Sequence, residues 1–374
     1  MQTSTRQGRP PWNHLMGVID KATKEAFSWL QYVLNQDKGN IPYIQDWQAI
    51  YDFAVKQQII GVCSPTPYSV KVDQDVLFQW IGDEQQIRNQ NKVLNKRIEE
   101  LSQILNEAGF RFCILKGQGN AEMYPDPGLR CAGDIDVWID ADEKKVIGFV
   151  KNRYPDMEKS FKHIKFPVFD DVDVDVHTTP LRLYHPCHKR ELKKWILEHK
   201  NEQFDNHITL SSNGVKVSVP TARFNVVYQM GHILIHLLDE GIGLRHMIDY
   251  YYVLRTLGEK TDAEKNEIAR EWRKFGMLRL ASGVMWVEKE ILGLPEKFLI
   301  VETNAKIGNI VLSEMLEGGN FGHHSTFQRL RNTYFSFRFA KAMHLMKIAS
   351  LFLGEAIFRM IHKFKMFIVH IMGR

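Results

Sequence analysis

The chain is poor in cysteine and lacks any cysteine pair at metal-ligand spacing. Cys63, Cys113, Cys131 and Cys187 are scattered through 374 residues with no CxxC motif. That excludes a cysteine-held zinc module and a disulfide scaffold, and it fits a reducing compartment. No stretch approaches the ~18 uninterrupted apolar residues that a membrane-spanning helix needs. Residues 1–12 are polar and contain proline, without the apolar core of a signal peptide. Internal repeats and low-complexity tracts are missing too. The expected setting is the cytoplasm.

Charge is nearly balanced, 49 basic against 44 acidic residues, but unevenly placed. From Gln328 to Arg374 nine Lys and Arg accompany a single acid, Glu355, so the excess positive charge belongs to the C-terminal tail. Apolar residues make up 44%, an ordinary globular share, and the length allows two or three domains.

Apolar spacing predicts helices over residues 24–62, where Trp29, Leu30 and Val33 cluster and Trp47, Ile50, Tyr51, Ala54 and Val55 recur at helical intervals. A long amphipathic helix is expected over 83–108, stopped by Gly109. The period then changes. Residues 110–115 have the length of a buried strand, 118–124 of a brief helix, and Pro125-Asp126-Pro127-Gly128 of a turn. Ile135, Val137 and Ile139 alternate with Asp134, Asp136 and Trp138, which marks a strand. Residues 143–153 read as helix. Strands are expected at 161–169 and 172–178, with Val172, Val174 and Val176 facing one way and Asp173, Asp175 and His177 the other. Asn213-Gly214 signals a second hairpin. From Thr221 onward the pattern is helical. The expected fold is α+β: a helical region at 1–108, a small mixed-sheet core at 109–220, a helical domain at 221–325 and a basic amphipathic tail at 326–374.

The chemistry concentrates in Leu115-Lys116-Gly117 and in Arg130-Cys131-Ala132-Gly133-Asp134-Ile135-Asp136-Val137. Two acids one residue apart on a strand project to one face. Carboxylates so close repel unless a cation lies between them, and a site of few oxygen ligands with room for phosphate suits Mg²⁺. Asp175 is placed to close the site as a third carboxylate; its neighbours Asp170, Asp171 and Asp173 also allow a solvated hairpin edge. A glycine turn after a strand lets backbone N–H groups approach phosphate. Lys116 is then a phosphate ligand or a solvated turn residue, and Arg130 a second phosphate cation or a brace for Asp134 or Asp136.

These residues resemble the DNA-polymerase-β-like nucleotidyltransferase superfamily: a strand, a Gly-containing turn with a short helix, Asp-x-Asp on the next strand, and a third acid on another. More narrowly, Leu115-Lys116-Gly117, Tyr124-Pro125-Asp126-Pro127-Gly128-Leu129-Arg130, Gly133-Asp134-Ile135-Asp136 and Asp175-Val176-His177 are similar to the bacterial family labelled uncharacterised nucleotidyltransferase, over roughly residues 40–260. The resemblance implies transfer of an NMP group from an NTP to an unidentified hydroxyl acceptor, with Mg²⁺ or Mn²⁺ as cofactor. It implies Asp134, Asp136 and Asp175 as metal ligands, Asp175 also orienting the acceptor hydroxyl, and Gly117 contacting phosphate through its backbone. The superfamily's usual Gly-Gly or Gly-Ser is Lys116-Gly117-Gln118 here, so the hydroxyl contact to phosphate is missing. A rival reading keeps the fold and the nucleotide but not turnover, as a regulatory or antitoxin-like module.

Other features have plainer readings. His232 and His236 are four apart on an apolar helix, but Ile233 stands where a zinc protease has Glu, so packing or helix-to-helix hydrogen bonding is expected. Arg245 and Asp249 read first as an intrahelical ion pair, and the family resemblance also allows them a secondary role around the acceptor pocket. His177 either tunes the third carboxylate or fills the strand edge. In the tail, Met346, Leu353, Met360, Phe364, Phe367 and Ile371 share a helical face, with Lys347, Arg359, Lys363 and Lys365 elsewhere. Such a helix suits peripheral contact with an anionic membrane at its inner face, or packing on the body or a second copy. Nucleic acid is disfavoured because the basic residues interleave with large apolar ones.

Overall fold

The structure, a computed structural model, describes residues 19–35, 40–160, 163–319 and 348–372. Three helices open it: α1 (Lys21–Asn35), α2 (Trp47–Gln57) and α3 (Gln74–Glu107). The Asp46 side chain accepts from Ala49 N–H at 3.0 Å and caps α2. Helix α3 starts at Gln74, ahead of the expected residue 83, because Val76 and Trp80 extend its apolar face towards α1 and α2. Trp80 packs edge-on against Trp47 and donates its indole N–H to Ile60 O at 2.9 Å. Further along, Leu94, Ile98, Leu101 and Leu105 are buried as their spacing predicts. Gly109 ends the helix with φ +71°.

Next come β1 (Phe112–Leu115), α4 (Gly117–Ala121), β2 (Ile135–Ile139), α5 (Glu143–Lys151), β3 (Ile164–Lys165) and β4 (Val174–His177). They form a four-stranded mixed sheet of order β1-β2-β4-β3, with β2 and β4 parallel and both outer pairs antiparallel. Strand β3 is shorter than the expected 161–169, part of which lies outside the described residues. Pro167 has no N–H to continue the ladder. Helix α6 (Pro186–Asp205) then leads to a small hairpin of β5 (His207–Thr209) and β6 (Lys216–Ser218), paired around the expected Asn213-Gly214 turn.

Strand alternation sorts the sheet into two faces. Ile114, Ile135, Val137, Ile139, Val174 and Val176 join a core with α3 and α5. Cys113, Leu115 and Trp138 face the other way, into the helical core. There Trp138 meets Phe204 of α6 and Phe224 of the next helix, at 4.7 and 5.9 Å between ring centroids. That helix, α7 (Ala222–Asp239), is buried almost all round, among α8 (Leu244–Leu257), α9 (Asp262–Lys274), α10 (Leu278–Glu290) and α11 (Ala305–Gly318). Gly231 in α7 permits a close approach: a Cβ there would meet Leu181 Cδ2 at 2.1 Å.

The last helix, α12 (Leu353–Met372), docks by its first turns. Glu355, 1% exposed, accepts from Tyr184 N–H at 2.6 Å and pairs with His188 Nδ1 at 2.8 Å. Arg359, expected among the tail's outward charges, is buried instead, because Asp239 of α7 receives its Nε–H at 2.6 Å. Leu353, Met360 and Phe364 are exposed. Met346, Lys347 and the side chains of Phe367 and Ile371 lie outside the described residues. Among those described, no helix is long and apolar enough to cross a membrane.

Candidate active site

Register places the acids. On parallel strands β2 and β4, Asp136 and Asp175 are Cα partners, so both side chains leave the sheet on one face at one level. Asp134 lies two residues before Asp136 and projects the same way. One carboxylate oxygen from each of the three lies within 4.8 Å of the others. Asp136 and Asp175 are buried, whereas Asp134 is exposed.

On the antiparallel side, Leu115 is the partner of Asp136, so the end of β1 delivers Lys116 and Gly117 directly beside the acids. Lys116 Nζ lies 2.8 Å from Asp136 Oδ2. Lys116 has φ 48° and ψ −137°, and Gly117 has φ 44°. A positive φ is strained for lysine and natural for glycine, so the surrounding contacts hold this turn in place.

The three carboxyls differ in electrostatic state. Repulsion from Asp136 holds Asp134 above the usual carboxylate range. Burial alone would raise Asp136, but the Lys116 ammonium and His177 outweigh it and hold that carboxyl well below the range. His177 Nε2 donates to Asp136 Oδ1 at 2.8 Å. Asp175 has His163 Nδ1 at 3.1 Å and Lys165 Nζ at 2.8 Å. The Lys165 ammonium thus sits against the buried Oδ1 of Asp175 as its counter-charge. Hard oxygen donors, closely set and mutually repelling: the set fits a small divalent cation such as Mg²⁺ or Mn²⁺.

Arg130 is buried at the entry to β2, and its guanidinium grips Asp249 of α8 through Nε and Nη2, both at 2.7 Å. Tyr124 donates to the same carboxylate at 2.6 Å. Burial would raise Asp249, but Arg130 holds it down at about 2. The Arg245–Asp249 spacing thus concealed a longer-range pair, while Arg245 Nη1 approaches Cys131 O at 3.4 Å. The loop carrying Arg130 is tied to α3 as well: Asn91 donates to Gly128 O and Arg130 O, and Arg88 pairs with Asp126.

The three carboxylates, the Lys116-Gly117 turn, His163, His177, Arg130, Arg245 and Asp249 open on a cavity of about 460 Å³ between the sheet and helices α7 and α8. Lys116, Gly117, Arg130, Asp134, Asp136 and Asp175, all expected from sequence, line it together. Sequence reasoning missed His163, Lys165, Arg182 and His246. His163 and Lys165 stand on the neighbouring β-segment, and their only signal was the hairpin that brings them opposite Asp175.

A small mixed sheet carrying Asp-x-Asp and a third acid beside a glycine turn is the nucleotidyltransferase arrangement. The family of uncharacterised nucleotidyltransferases matches residues 44–293, and the chain belongs to that family. No curated protein matches it. Among solved structures, it is similar to the crystal structure of an antigenic nucleotidyltransferase-like protein from Paracoccidioides brasiliensis. That likeness covers 58% of this chain and 96% of the other, at 14% identity and a TM-score of 0.34.

Proposed function

We propose that the protein transfers an NMP group from an NTP to the hydroxyl of an acceptor. The observation that carries this is the convergence of Asp134, Asp136 and Asp175 within 4.8 Å on one sheet face, with the Lys116-Gly117 turn against them. Asp134, Asp136 and Asp175 would hold the divalent metal, which when bound neutralises the triphosphate and the charge that develops on it. Lys116 supplies positive charge at the phosphates and Gly117 a backbone N–H. Arg130, neutralised by Asp249, positions the loop that leads into Asp134.

Asp175 orients the acceptor hydroxyl and takes its proton. The acceptor oxygen bonds to the α-phosphorus as the bond to pyrophosphate breaks, so atoms and charge balance without a covalent enzyme intermediate. Catalysis rests on positioning and electrostatics. The third carboxylate favours this reading over a non-catalytic nucleotide-binding module, which does not need an acid at position 175.

Asp134→Asn and Asp136→Asn remove a charge with little change of shape. Nucleotide binding should weaken in Mg²⁺, and turnover should fall on the order of a thousandfold or more. Calorimetric titration of NTP with and without Mg²⁺, for the parent and both variants, is the test. A parent that binds no NTP in Mg²⁺ or Mn²⁺, or variants that bind it equally well, would remove the basis of the proposal.

A further inference from the structure

Across the cavity from the carboxylates stands a second cluster with different chemistry. His232 and His236 lie one turn apart on α7, and the short connection to α8 returns His246 to the same point. One ring nitrogen from each of the three lies within 4.8 Å of the others. Their ring centroids are 4.2, 5.1 and 6.0 Å apart. A zinc-bound imidazole puts its centroid roughly 3.2 Å from the ion, so tetrahedral ligands have centroids about 5.2 Å apart. The observed separations straddle that value, and small rotations about the side-chain bonds would equalise them.

We propose that His232, His236 and His246 form a three-imidazole site for a divalent transition-metal ion of the zinc class, with its remaining coordination position open to the cavity.

The surroundings suit this. Glu240 lies 3.1 Å from His236 Nδ1 and sets a carboxylate counter-charge beside the cluster, which favours a bound cation. His232 Nε2 already faces a cation: it accepts from Lys116 Nζ at 3.3 Å. Lys116 is itself neutralised by Asp136 and Arg130 by Asp249, which limits the repulsion a dication would meet. Gly243 N–H approaches His246 Nδ1 at 3.4 Å, and an ion bound through that nitrogen would displace it. Since all three histidines line the cavity, the open position would face the carboxylate site across Lys116, where it can hold an oxygen or anionic group of the second substrate.

The two sites separate by ligand hardness: carboxylates prefer Mg²⁺ or Mn²⁺, imidazoles prefer Co²⁺, Ni²⁺, Cu²⁺ or Zn²⁺. The test titrates the full chain with Co²⁺ in a large excess of Mg²⁺, reading visible absorption and bound metal. The parent should take up one Co²⁺ per chain with the strong visible bands of a tetrahedral nitrogen site. His232→Ala and His246→Ala should each abolish those bands. Glu240→Gln, a change at a half-exposed residue that spares the fold, should weaken Co²⁺ about 10–100-fold. The double variant Asp134→Asn/Asp136→Asn should keep the bands, so failure here is distinguishable from failure of the nucleotidyl-transfer reading. A parent without Co²⁺ bands, or bands lost in the double Asn variant and retained in His246→Ala, would overturn the proposal.

Discussion

Arg130 and Asp249 are 119 residues apart in sequence and joined by two hydrogen bonds of 2.7 Å in a buried ion pair. The pair ties the loop leading into the candidate metal ligands to helix α8. Removing one partner strands the other charge in the interior. Asp249→Asn should therefore cost about 3–5 kcal/mol in chemical denaturation. Arg130→Lys should not be a mild change, because one ammonium cannot reproduce the two-pronged contact. The pH dependence follows from the same pair. The folded carboxyl sits at about 2 against an ordinary 3.8, so its contribution is complete above pH ~4 and is lost as pH falls towards 2. That is about 2 kcal/mol. Stability measured against pH should decline less steeply between 4 and 2 in Asp249→Asn than in the parent.

Lys116 touches both Asp136 and His232. In the proposed reaction it neutralises phosphate, yet it also competes with cations for the carboxylates. Lys116→Met should accordingly have opposite effects on two ligands: tighter Mn²⁺ binding without nucleotide and weaker NTP binding. Mn²⁺ binding followed by paramagnetic resonance, together with nucleotide titration, checks both signs. A loss of both affinities would contradict this placement of charge.

Glu288 of α10 is fully buried, and neither carboxylate oxygen has a hydrogen-bond partner among the described residues. Burial pushes its carboxyl well above the ordinary 4.5. The folded chain keeps this proton while the unfolded chain releases it above pH ~4.5, so stability falls with rising pH by up to about 1.4 kcal/mol per unit. Glu288→Gln removes that dependence. Its thermal midpoint should exceed the parent's at pH 8 by more than at pH 5.

Beyond its docked turns, α12 exposes Met360, Ile361, Phe364, Met366 and Ile368, with Lys363 and Lys365 also exposed. This apolar and basic combination matches an anionic lipid surface. The full chain should sediment with phosphatidylglycerol vesicles, and Met360→Glu/Phe364→Glu should abolish this while leaving the Glu355 and Arg359 contacts intact. Sedimentation equal in both proteins would exclude the helix as the membrane contact.

Much of the architecture was legible because it repeats along the chain. Three- and four-residue apolar spacing located α3 and the helical character of the chain after Thr221, alternation located β2 and β4, and Asn213-Gly214 located the β5–β6 hairpin. Asp134 and Asp136 were legible as one constellation for a local reason: side chains two apart on a strand necessarily share a face. Asp175 was legible as a face, but its neighbourhood was not, since the parallel register of β2 against β4 depends on how the intervening segment crosses over. Pairings between distant segments carry no periodic signal. The alliance of Arg130 with Asp249, the approach of Lys165 and His163 to Asp175, and the arrival of His246 beside His232 and His236 each required two elements to pack. The same holds for Arg359: on an isolated amphipathic helix it belongs with the solvated charges, and only the buried Asp239 of α7 draws it inward. Backbone periodicity thus determined which elements form and which way their side chains point, whereas the selection of charge partners was left to tertiary packing, which alone brings remote groups within hydrogen-bond range.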